Sequence, residues 1–464
     1  MRFWVTVLNP LQSRNGRDEI DGESMNRNIK FITATVALTA MTVFTLPSSS
    51  AAGVITLTVQ TDSYIQPAFK IVADEFEKQN PGVKVELQVL DAQTQTTTNL
   101  QIMTSDSAPD VASAPMNLPP YAAMMKAKQF IPIDDVWKEA NLKERYGAGV
   151  SSTLVAPDGK NYQVLLGAVY YGFAWINKDA FAKAKIKIPA DHQIGSMANL
   201  KAMGTKLRAA GYEPMSIGGS SGYHLTWMLD SFLASGVPEK KLSNLRTNFV
   251  SDVPVTTSYT DASVGKSLTQ LKLMYDAKLF QTGVLGQDQN VGMALFAAGK
   301  AAMMMGHNAT PGGLKDRLRV NLNLDFLFLP PTTPGLKVLP NLSGSNTYQI
   351  PVKAKNPELA KKFLVLLMSD EMQLEYVKSG AGLSAVKLPK AAVEKAYSTL
   401  DPAVLKLIRY ANEFGSSPGW AEGVPAGLNG VTDPMIQKLF LGKKNVKQIG
   451  TELDAIRNKL RSSS

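Results

Sequence analysis

The chain contains no cysteine among its 464 residues. The protein therefore forms no disulfide bond, offers no thiolate ligand to a metal ion, and lacks the cysteine that a bacterial lipoprotein needs at its cleavage site. Histidine is almost as scarce, with three residues in the chain. None of the three lies in the His-Glu-x-x-His arrangement of a zinc protease. The sequence thus indicates neither thiol chemistry nor a zinc enzyme.

Other catalytic patterns are absent from the sequence as well. It contains no Gly-x-Ser-x-Gly and no Gly-x-x-x-x-Gly-Lys-Ser/Thr. Asp134 and Asp135 are adjacent in a predicted turn, whereas a glycosidase needs two carboxylates that face each other. We therefore predict a protein that is not an enzyme and that has no cofactor and no metal site. A secreted glycan hydrolase is kept as an alternative, because acidic residues distant in sequence can meet in a fold.

The chain carries a net positive charge, but its basic residues are dispersed along the sequence. The formal net charge is +10, and the densest lysine runs are pairs such as Lys240-Lys241 and Lys443-Lys444. Dispersed charge of this kind mainly keeps a surface solvated, so we expect no nucleic-acid partner. Apolar residues make up 44% of the chain, and the length is enough for two or three domains.

An export signal begins at Met25 rather than at residue 1. Arg27 and Lys30 form a basic head, an apolar stretch covers residues 31–46, and small residues precede Gly53. This order is typical of a secretory signal peptide. The apolar stretch contains five threonines and is shorter than the roughly 20 apolar residues of a membrane-spanning helix. A signal peptide is therefore favoured over a membrane anchor.

We accordingly predict a signal peptide over residues 25–52, with cleavage after Ala51 or Ala52. Residues 1–24 are polar and irregular, and we interpret them as upstream sequence included by an early start codon. The mature protein would be released in soluble form into the periplasm of a Gram-negative cell.

The first part of the mature chain predicts a β-α-β unit. Residues 54–59 form a predicted strand, Pro67 suits the first turn of a helix, and apolar residues alternate with polar ones over 83–89. A strand, helix and strand in this order imply a parallel pair with a right-handed crossover. Two further strands are predicted at residues 160–166 and 170–176. The fold class is α/β.

Six segments of the sequence form a distinctive series: Phe76–Val85, Ala108–Val111, Asp158–Tyr162, Trp175–Phe181, Phe296–Met303 and Lys355–Phe363. In this order they resemble segments of the bacterial extracellular solute-binding proteins, family 1. The resemblance covers most of the chain, from about residue 54 to residue 460. The family feeds ABC importers, and most of its members bind sugars or oligosaccharides.

The resemblance implies the two-lobe periplasmic binding protein fold of type II. Its ligand cleft lies between α/β lobes that are joined by crossing hinge strands. We expect the N-terminal lobe at residues 53–168 plus 329–351 and the C-terminal lobe at residues 169–328 plus 352–464. The implied partners are a small solute and the permease subunits of an ABC transporter in the inner membrane. We expect a monomer.

Aromatic candidates for ligand contact come from the resemblance and from loop positions. A sugar site combines flat apolar faces with polar groups for the hydroxyls. Trp420 lies in a predicted loop, and Tyr223 and Trp227 follow a glycine-rich turn. Tyr171 lies on a predicted crossing strand. For each of them, packing inside the protein is the alternative to contact with a ligand.

Polar candidates lie where predicted strands end, since carboxyl ends of strands line the cleft in such sheets. Asp62 and Tyr64 follow the first strand, and Ser113 follows a short buried one. Ser345 precedes a crossing strand. Asn308 stands where many family members have a tryptophan that stacks on a sugar, so a less typical sugar or a different solute is favoured. For Asp62, a role as a turn residue is the alternative.

Two other ligands compete with a carbohydrate. The adjacent pair Tyr170-Tyr171 matches the tyrosine ligands of some periplasmic ferric-iron binders, although hard metal sites usually gather several oxygen ligands. A polyamine is a further non-sugar candidate. The sequence thus predicts a periplasmic substrate-binding protein that captures a mono- or oligosaccharide and delivers it to an ABC transporter.

Overall fold

A computed structural model describes residues 54–462, apart from Tyr64, Asp91, Asn117, Pro157 and Gly222. The predicted signal peptide and the segment before it lie outside the described residues. Across these described ranges, every helix is too short or too polar to cross a membrane.

The strands divide into one long central strand and several shorter ones. They are β1 (Ile55–Asp62), β2 (Val83–Leu90), β3 (Ala112–Ser113), β4 (Gln163–Asn177), β5 (Glu213–Ser216), β6 (Ala301–His307), β7 (Leu324–Phe328), β8 (Asn341–Gln349), β9 (Leu383–Ser384) and β10 (Ser417–Pro418).

Helices fill most of the remaining described chain, together with a 3-10 turn at Val284–Gly286. The helices are α1 (Gln66–Gln79), α2 (Ala92–Thr97), α3 (Asn99–Thr104), α4 (Pro119–Lys126), α5 (Asp134–Glu139), α6 (Leu142–Tyr146), α7 (Ala148–Leu154), α8 (Lys178–Lys183), α9 (Met197–Ala209), α10 (His224–Ala234), α11 (Glu239–Thr247), α12 (Ala262–Asp276), α13 (Gln289–Ala297), α14 (Thr310–Leu318), α15 (Pro357–Leu367), α16 (Asp370–Lys378), α17 (Lys390–Tyr397), α18 (Pro402–Phe414), α19 (Trp420–Gly423), α20 (Ala426–Phe440) and α21 (Val446–Arg461).

The predicted β-α-β unit is present in the structure. Strands β1 and β2 pair in parallel with α1 between them in sequence, and Ile55 lies opposite Val83. Helix α1 buries one apolar face that includes Phe69, Val72 and Phe76. This is the 3.6-residue spacing that the sequence displays. A backbone bridge between Val59 and Val111 continues the parallel arrangement toward β3.

A larger mixed sheet is organised around β4. Its strand order is β10-β8-β4-β6-β5, and β7 and β9 also pair with β4 while β3 pairs with β8. The first half of β4 pairs with β8 and its second half pairs with β6 and β7. Strand β4 thus connects the part of the protein that contains β8 with the part that contains β6 and β7.

Strand β4 runs without a break where the sequence predicts two separate strands. Gly167 lies in the expected gap and pairs with both β8 and β9. A Cβ atom at this position would lie 2.5 Å from the Leu383 carbonyl oxygen and 2.5 Å from the Tyr376 ring. Glycine therefore interrupts the apolar pattern without ending the strand, because it lets neighbouring groups approach the backbone closely.

One hydrophobic cluster, here termed the N-terminal core, contains residues from two distant parts of the chain. Phe363 of α15 has its ring centroid 5.4 Å from that of Phe76 and 6.4 Å from that of Phe69. Residues 360–386, which the sequence analysis assigned to the second lobe, therefore pack with the N-terminal strands and helices. Members of this core include Leu57, Val59, Phe69, Val72, Phe76, Val164, Leu166, Tyr348, Phe363, Leu364 and Tyr376.

The other half of β4 separates two further clusters, because successive side chains of a strand point to opposite faces. Ala174 and Ile176 belong to the C-terminal core, which also includes residues of α10, α12 and α20. Phe173 and Trp175 belong to a third core, which includes α18 residues such as Leu407 and Ile408. Trp175 is thus fully buried and contributes to packing.

We predict that Phe363→Ala lowers the free energy of unfolding by about 3 kcal/mol or more, because it leaves a cavity among packed aromatic rings. Urea denaturation followed by circular dichroism measures this. Lys362→Ala on the same helix removes an exposed side chain and should change stability by about 0.5 kcal/mol or less. Equal effects of the two variants would contradict the packing described for α15.

Candidate functional site

Three of the predicted aromatic residues lie together at the start of α10. The Trp227 ring stacks on Tyr171 of β4, with centroids 4.6 Å apart and planes inclined by 30°. Tyr223 meets Trp227 edge-on at 4.8 Å. Tyr171 is fully buried, whereas Tyr223 and Trp227 are partly exposed. The cluster therefore presents an indole whose position is set by a buried phenol ring.

The Tyr171 hydroxyl is held by a buried carboxyl group. It donates a hydrogen bond of 2.6 Å to Oδ2 of Asp230, which also accepts from the backbone N–H of Ala421. Gly419 passes so close to this pair that it leaves no room for a Cβ atom. Burial raises the pKa of Asp230 to about 8 and holds the pKa of Tyr171 well above its usual value. The phenol is therefore committed to packing and hydrogen bonding inside the protein.

A second carboxyl group lies beside the exposed part of this cluster. Glu422 of α19 is a partly exposed residue, but burial of its carboxyl group raises the pKa to about 7. The Ser343 hydroxyl and the Trp227 indole N–H are close enough to favour the ionised form. The site thus combines an aromatic face with an acceptor group.

Two buried histidines complete the surroundings of Trp227. His307 meets the Trp227 ring edge-on with centroids 6.0 Å apart, and His224 lies 6.0 Å from it. Nδ1 of His224 accepts a hydrogen bond from the backbone N–H of Gly218. Burial lowers the pKa of His224 to about 3 and that of His307 to about 4. Both rings are therefore neutral at physiological pH.

Strand β8 connects this cluster to a polar group on the N-terminal side. Ser343 approaches Glu422, whereas Asn346 donates from Nδ2 to the Tyr376 hydroxyl at 3.1 Å. Asp62, at the end of β1, raises the pKa values of the buried Tyr348 and Tyr376 phenols electrostatically, in addition to the larger effect of burial. The predicted residue Asp62 therefore lies near Tyr348 and Tyr376 on the N-terminal side, and not in the aromatic cluster around Trp227.

Two other predicted residues, Ser113 and Trp420, are occupied by internal contacts. Ser113 is buried. Its backbone N–H donates to Oε1 of Gln60, and its carbonyl oxygen accepts from Nδ2 of Asn99. Trp420 is 1% exposed and donates from its indole nitrogen to the Tyr259 hydroxyl at 3.1 Å. Since Trp420 packs in the C-terminal core, this arrangement offers no ring face to a solute. Packing, the alternative stated for this residue, describes what the structure shows.

Asn308 has a structural role at the junction of β6 and β4. Its Oδ1 atom accepts from the backbone N–H of Tyr170 at 2.8 Å, and its own N–H donates to the Tyr170 carbonyl. It also lines a cavity of about 410 Å³ together with residues of α14 and the end of α16. Asn308 thus makes two hydrogen bonds to the backbone of Tyr170 and does not belong to the Trp227 cluster.

Tyr64 lies outside the described residues, and the Ser345 side chain does as well, although the Ser345 backbone belongs to β8. Their predicted roles stay predictions.

Asp230 and Glu422 are the residues that the sequence analysis missed. Asp230 follows Trp227 by three positions, which places both on one side of α10. Glu422 follows Trp420 by two positions in a short helix. The three-residue spacing of Trp227 and Asp230 could have indicated that Asp230 lies near the site. It does so only if Trp227 is already known to be a site residue.

The structure gives no support to a ferric-iron site at Tyr171. Burial disfavours the phenolate form that would bind iron. Among residues 54–462 as described, no group of three or more histidine, cysteine, aspartate or glutamate side chains could hold a metal ion.

The fold and the site define a two-lobe α/β binding protein, and comparison with known sequences gives its family. Residues 62–374 match the bacterial extracellular solute-binding proteins. This match covers more than half of the chain, so the protein belongs to that family. An uncharacterized ABC transporter extracellular-binding protein of Pyrococcus horikoshii is 22% identical over 315 residues. That alignment covers 66% of this chain and 65% of the relative, which is less than two thirds of the relative's length.

Solved structures agree on the fold. A chitin oligosaccharide binding protein superimposes with a TM-score of 0.69 at 20% identity, over 88% of this chain and 99% of the other. A protein of the thermophilic bacterium Caldanaerobius polysaccharolyticus, described in work on xylan utilization, gives a TM-score of 0.70 at 17% identity over 86% and 99%. The predicted two-lobe periplasmic binding protein fold is therefore confirmed.

We predict that the contribution of Asp230 to stability decreases as the pH rises from 5 to 8. The Asp230→Asn variant should therefore lose less stability than wild type over this range. Because burial raises the Asp230 pKa from 3.8 to about 8, folding retains a proton that the unfolded chain releases above pH 3.8. The stabilisation from Asp230 is complete below that value and is lost as pH rises through the folded pKa. Melting temperatures at several pH values, compared with wild type, measure the difference.

Asp252→Asn changes an exposed carboxyl group and serves as the control. Its melting temperatures should follow the wild-type pH profile. If Asp230→Asn also followed the wild-type profile, the assignment of a protonated buried Asp230 would be wrong. The comparison with wild type matters because His224 and His307 act in the opposite direction, destabilising the fold as pH falls below about 6.5.

Proposed function

We propose that the protein captures a carbohydrate and delivers it to the permease subunits of an ABC importer. It performs no chemical reaction on the solute. Membership in the solute-binding family supports this role. The printed descriptions of its structural neighbours, which mention a chitin oligosaccharide and xylan, support a saccharide as the solute.

The observation that carries the proposal is the partly exposed indole of Trp227, stacked on Tyr171 and bordered by polar groups. A pyranose ring presents C–H groups on its face and hydroxyls at its edge, so it needs a flat apolar surface and nearby acceptors. Trp227 supplies the surface, and Glu422 is an acceptor beside it. Asp62 of β1, whose charge acts on Tyr348 of β8, is the second acceptor that we propose.

We further propose that the lobes correspond to the hydrophobic cores. The N-terminal lobe then contains residues 54–166 and approximately 347–386, and the C-terminal lobe contains most of the chain between them together with residues after 400. This moves residues 352–386 from the lobe expected from the sequence. Strands β4 and β8 are the hinge strands, and solute binding favours the closed arrangement of the lobes.

The proposed location is the periplasm, reached through the signal peptide at residues 25–52. Membership in a family of extracellular solute-binding proteins supports export. We expect the exported protein to begin at Ala52 or Gly53, because signal peptidase cleaves after small residues. N-terminal sequencing of protein recovered from a periplasmic extract measures the start. A mature chain that retained the apolar stretch 31–46 would contradict this expectation.

A thermal-shift screen tests the proposed function. Residues 53–464 are mixed with mono-, di- and oligosaccharides, spermidine and ferric citrate. A ligand at 100 times its dissociation constant stabilises the protein by about 2.7 kcal/mol, which gives a measurable shift. We expect one class of saccharide to raise the melting temperature. A shift with spermidine or ferric citrate, and none with any saccharide, would overturn the carbohydrate proposal in favour of that solute.

We predict that Trp227→Phe weakens binding of the stabilising saccharide by about tenfold, since the smaller ring covers less of a sugar face. Isothermal titration calorimetry measures the affinity. Trp137→Phe is the matched control, because Trp137 is buried in the N-terminal core and donates to the Gln163 carbonyl. It should lower stability and leave affinity within about twofold. Equal affinity losses would remove Trp227 from the site.

A further inference from the structure

Helix α10, which carries Trp227, begins without a capping side chain of its own. Its N-cap residue is Tyr223, whose side chain makes no capping hydrogen bond. The first backbone N–H groups of a helix have no partner inside the helix, and a short polar N-cap side chain usually accepts from the second or third of them. In α10 these two donors belong to Leu225 and Thr226, which are both fully buried. Their acceptor must therefore come from another part of the protein.

Asp433 of α20 supplies this acceptor. Its Oδ1 atom accepts from the backbone N–H of Thr226 at 2.7 Å and from the Thr226 hydroxyl at 2.5 Å. Its Oδ2 atom accepts from the backbone N–H of Leu225 at 3.3 Å. Asp433 is 1% exposed, and its carboxyl group lies at the positive end of the α10 dipole. The cap of α10 is thus a buried side chain that follows Leu225 by 208 positions in the chain.

A second side chain of α20 holds the glycine-rich turn that precedes α10. Gln437 follows Asp433 by four positions, so the two lie on the same face of α20. The Nε2 atom of Gln437 donates to the Gly219 carbonyl oxygen at 2.8 Å. One face of α20 therefore supports both the turn and the first residues of the helix that carries the indole.

The external cap leaves position 223 available for an aromatic side chain. A residue that capped α10 from this position would be short and polar, and it could not reach the indole. Tyr223 instead meets Trp227 edge-on at 4.8 Å, and its hydroxyl donates to Oε1 of Gln289. The Trp227 backbone N–H donates to the Tyr223 carbonyl at 2.9 Å. Both aromatic residues thus belong to the helical turn that Asp433 closes.

We propose that Asp433 is a positioning residue of the solute site, which fixes the first turn of α10 and thereby orients the Tyr223–Trp227 pair toward the solute. The proposal rests on the carbohydrate-binding function, since Trp227 is the ring that the function requires. Asp433 acts through the helix backbone, because its own carboxyl group is buried against Leu225 and Thr226.

Near-ultraviolet circular dichroism without any ligand tests whether Asp433 orders the indole. The difference between wild type and Trp227→Phe gives the signal of this one ring. The same difference, measured in the Asp433→Ala background, should be much smaller, because buried N–H groups without an acceptor are costly and the turn should open. It should be retained with Asp433→Asn, since asparagine caps helices about as well as aspartate. A full Trp227 signal in the Asp433→Ala background would overturn the proposal.

Binding of N,N′-diacetylchitobiose and of xylobiose, measured by isothermal titration calorimetry, tests the consequence for affinity. For whichever disaccharide binds, Asp433→Ala should bind about fivefold more weakly, because loss of a cap lowers the fraction of molecules with an ordered first turn by about that factor. Asp433→Asn should restore the affinity to within about twofold of wild type. Wild-type affinity in Asp433→Ala would contradict the positioning role.

Asp261→Ala is the matched control, because Asp261 caps α12 in a similar way. It accepts from the Ser263 backbone N–H at 2.9 Å and from the Ser263 hydroxyl at 2.6 Å. This variant should lower the melting temperature while the affinity and the Trp227 signal stay as in wild type. Equal affinity losses in Asp261→Ala and Asp433→Ala would mean that Asp433 contributes only general stability, and the proposal would be wrong.

Thr226→Val keeps the proposal testable if Asp433→Ala does not fold. It removes one of the three hydrogen bonds to Asp433 and leaves the carboxyl group in place. It should reduce the Trp227 signal and the affinity in the same direction by a smaller factor, and no change in either would overturn the proposal. If neither disaccharide binds wild type, carbohydrate binding loses support, while the circular dichroism comparison still decides whether Asp433 controls Trp227.

Discussion

The hydrogen-bonded ladder between β4 and β8 is the constraint on which the rest of the structure depends. Strand β4 contributes Leu166 to the N-terminal core and Ile176 to the C-terminal core, while β8 pairs along its first half. Neither core could move far from the other without bending this ladder. Strand β4 has glycines within this ladder, at Gly167, and directly after its last pair, at Gly172. At Gly172 the backbone has φ +85°, and a Cβ would lie 2.5 Å from the Ser231 hydroxyl.

The same ladder explains why the aromatic cluster lies where it does. Tyr171 is the β4 residue opposite Asn341 of β8, and its ring is the support on which Trp227 stacks. The bond from Tyr171 to Asp230 fixes α10 against β4, and the bond from Ala421 to Asp230 adds α19 to the same point. A single buried carboxyl group therefore joins three elements. An unpaired polar group in this position would be costly, so the contacts of Asp230 with Tyr171 and with Ala421 are mutually dependent.

Much of the fold could be predicted from the sequence, because periodicity is a local property. The apolar face of α1 and the alternation in β2 were sufficient for the β-α-β unit. The continuity of β4 could not be predicted, since Gly167 interrupts the pattern and its reason, the close approach of Tyr376, lies more than 200 residues away in the chain. Helices α15 and α16 were expected in the C-terminal lobe, and the structure packs them in the N-terminal core. Their amphipathic spacing shows that they bury a face but not which core receives it.

The site was predictable only in part. Tyr223 and Trp227 were selected because they follow a glycine-rich turn, and Tyr171 because it lies on a predicted crossing strand; the structure brings the three together. Trp420 was selected because it lies in a predicted loop. In the structure it begins the short helix α19 and packs against Tyr259. Asp230 and Glu422 were missed, since a carboxyl group acquires its raised pKa from burial among residues that are remote in sequence.

The central claim is that a sugar ring lies on the exposed face of Trp227 within reach of Glu422. The most direct measurement is a crystal structure of the protein with the saccharide that gives the largest thermal shift. The account predicts a pyranose ring about 4 Å from the indole plane, in van der Waals contact, with the Tyr171–Asp230 bond intact beneath it. A saccharide bound elsewhere, for example in the cavity beside Asn308, would contradict it.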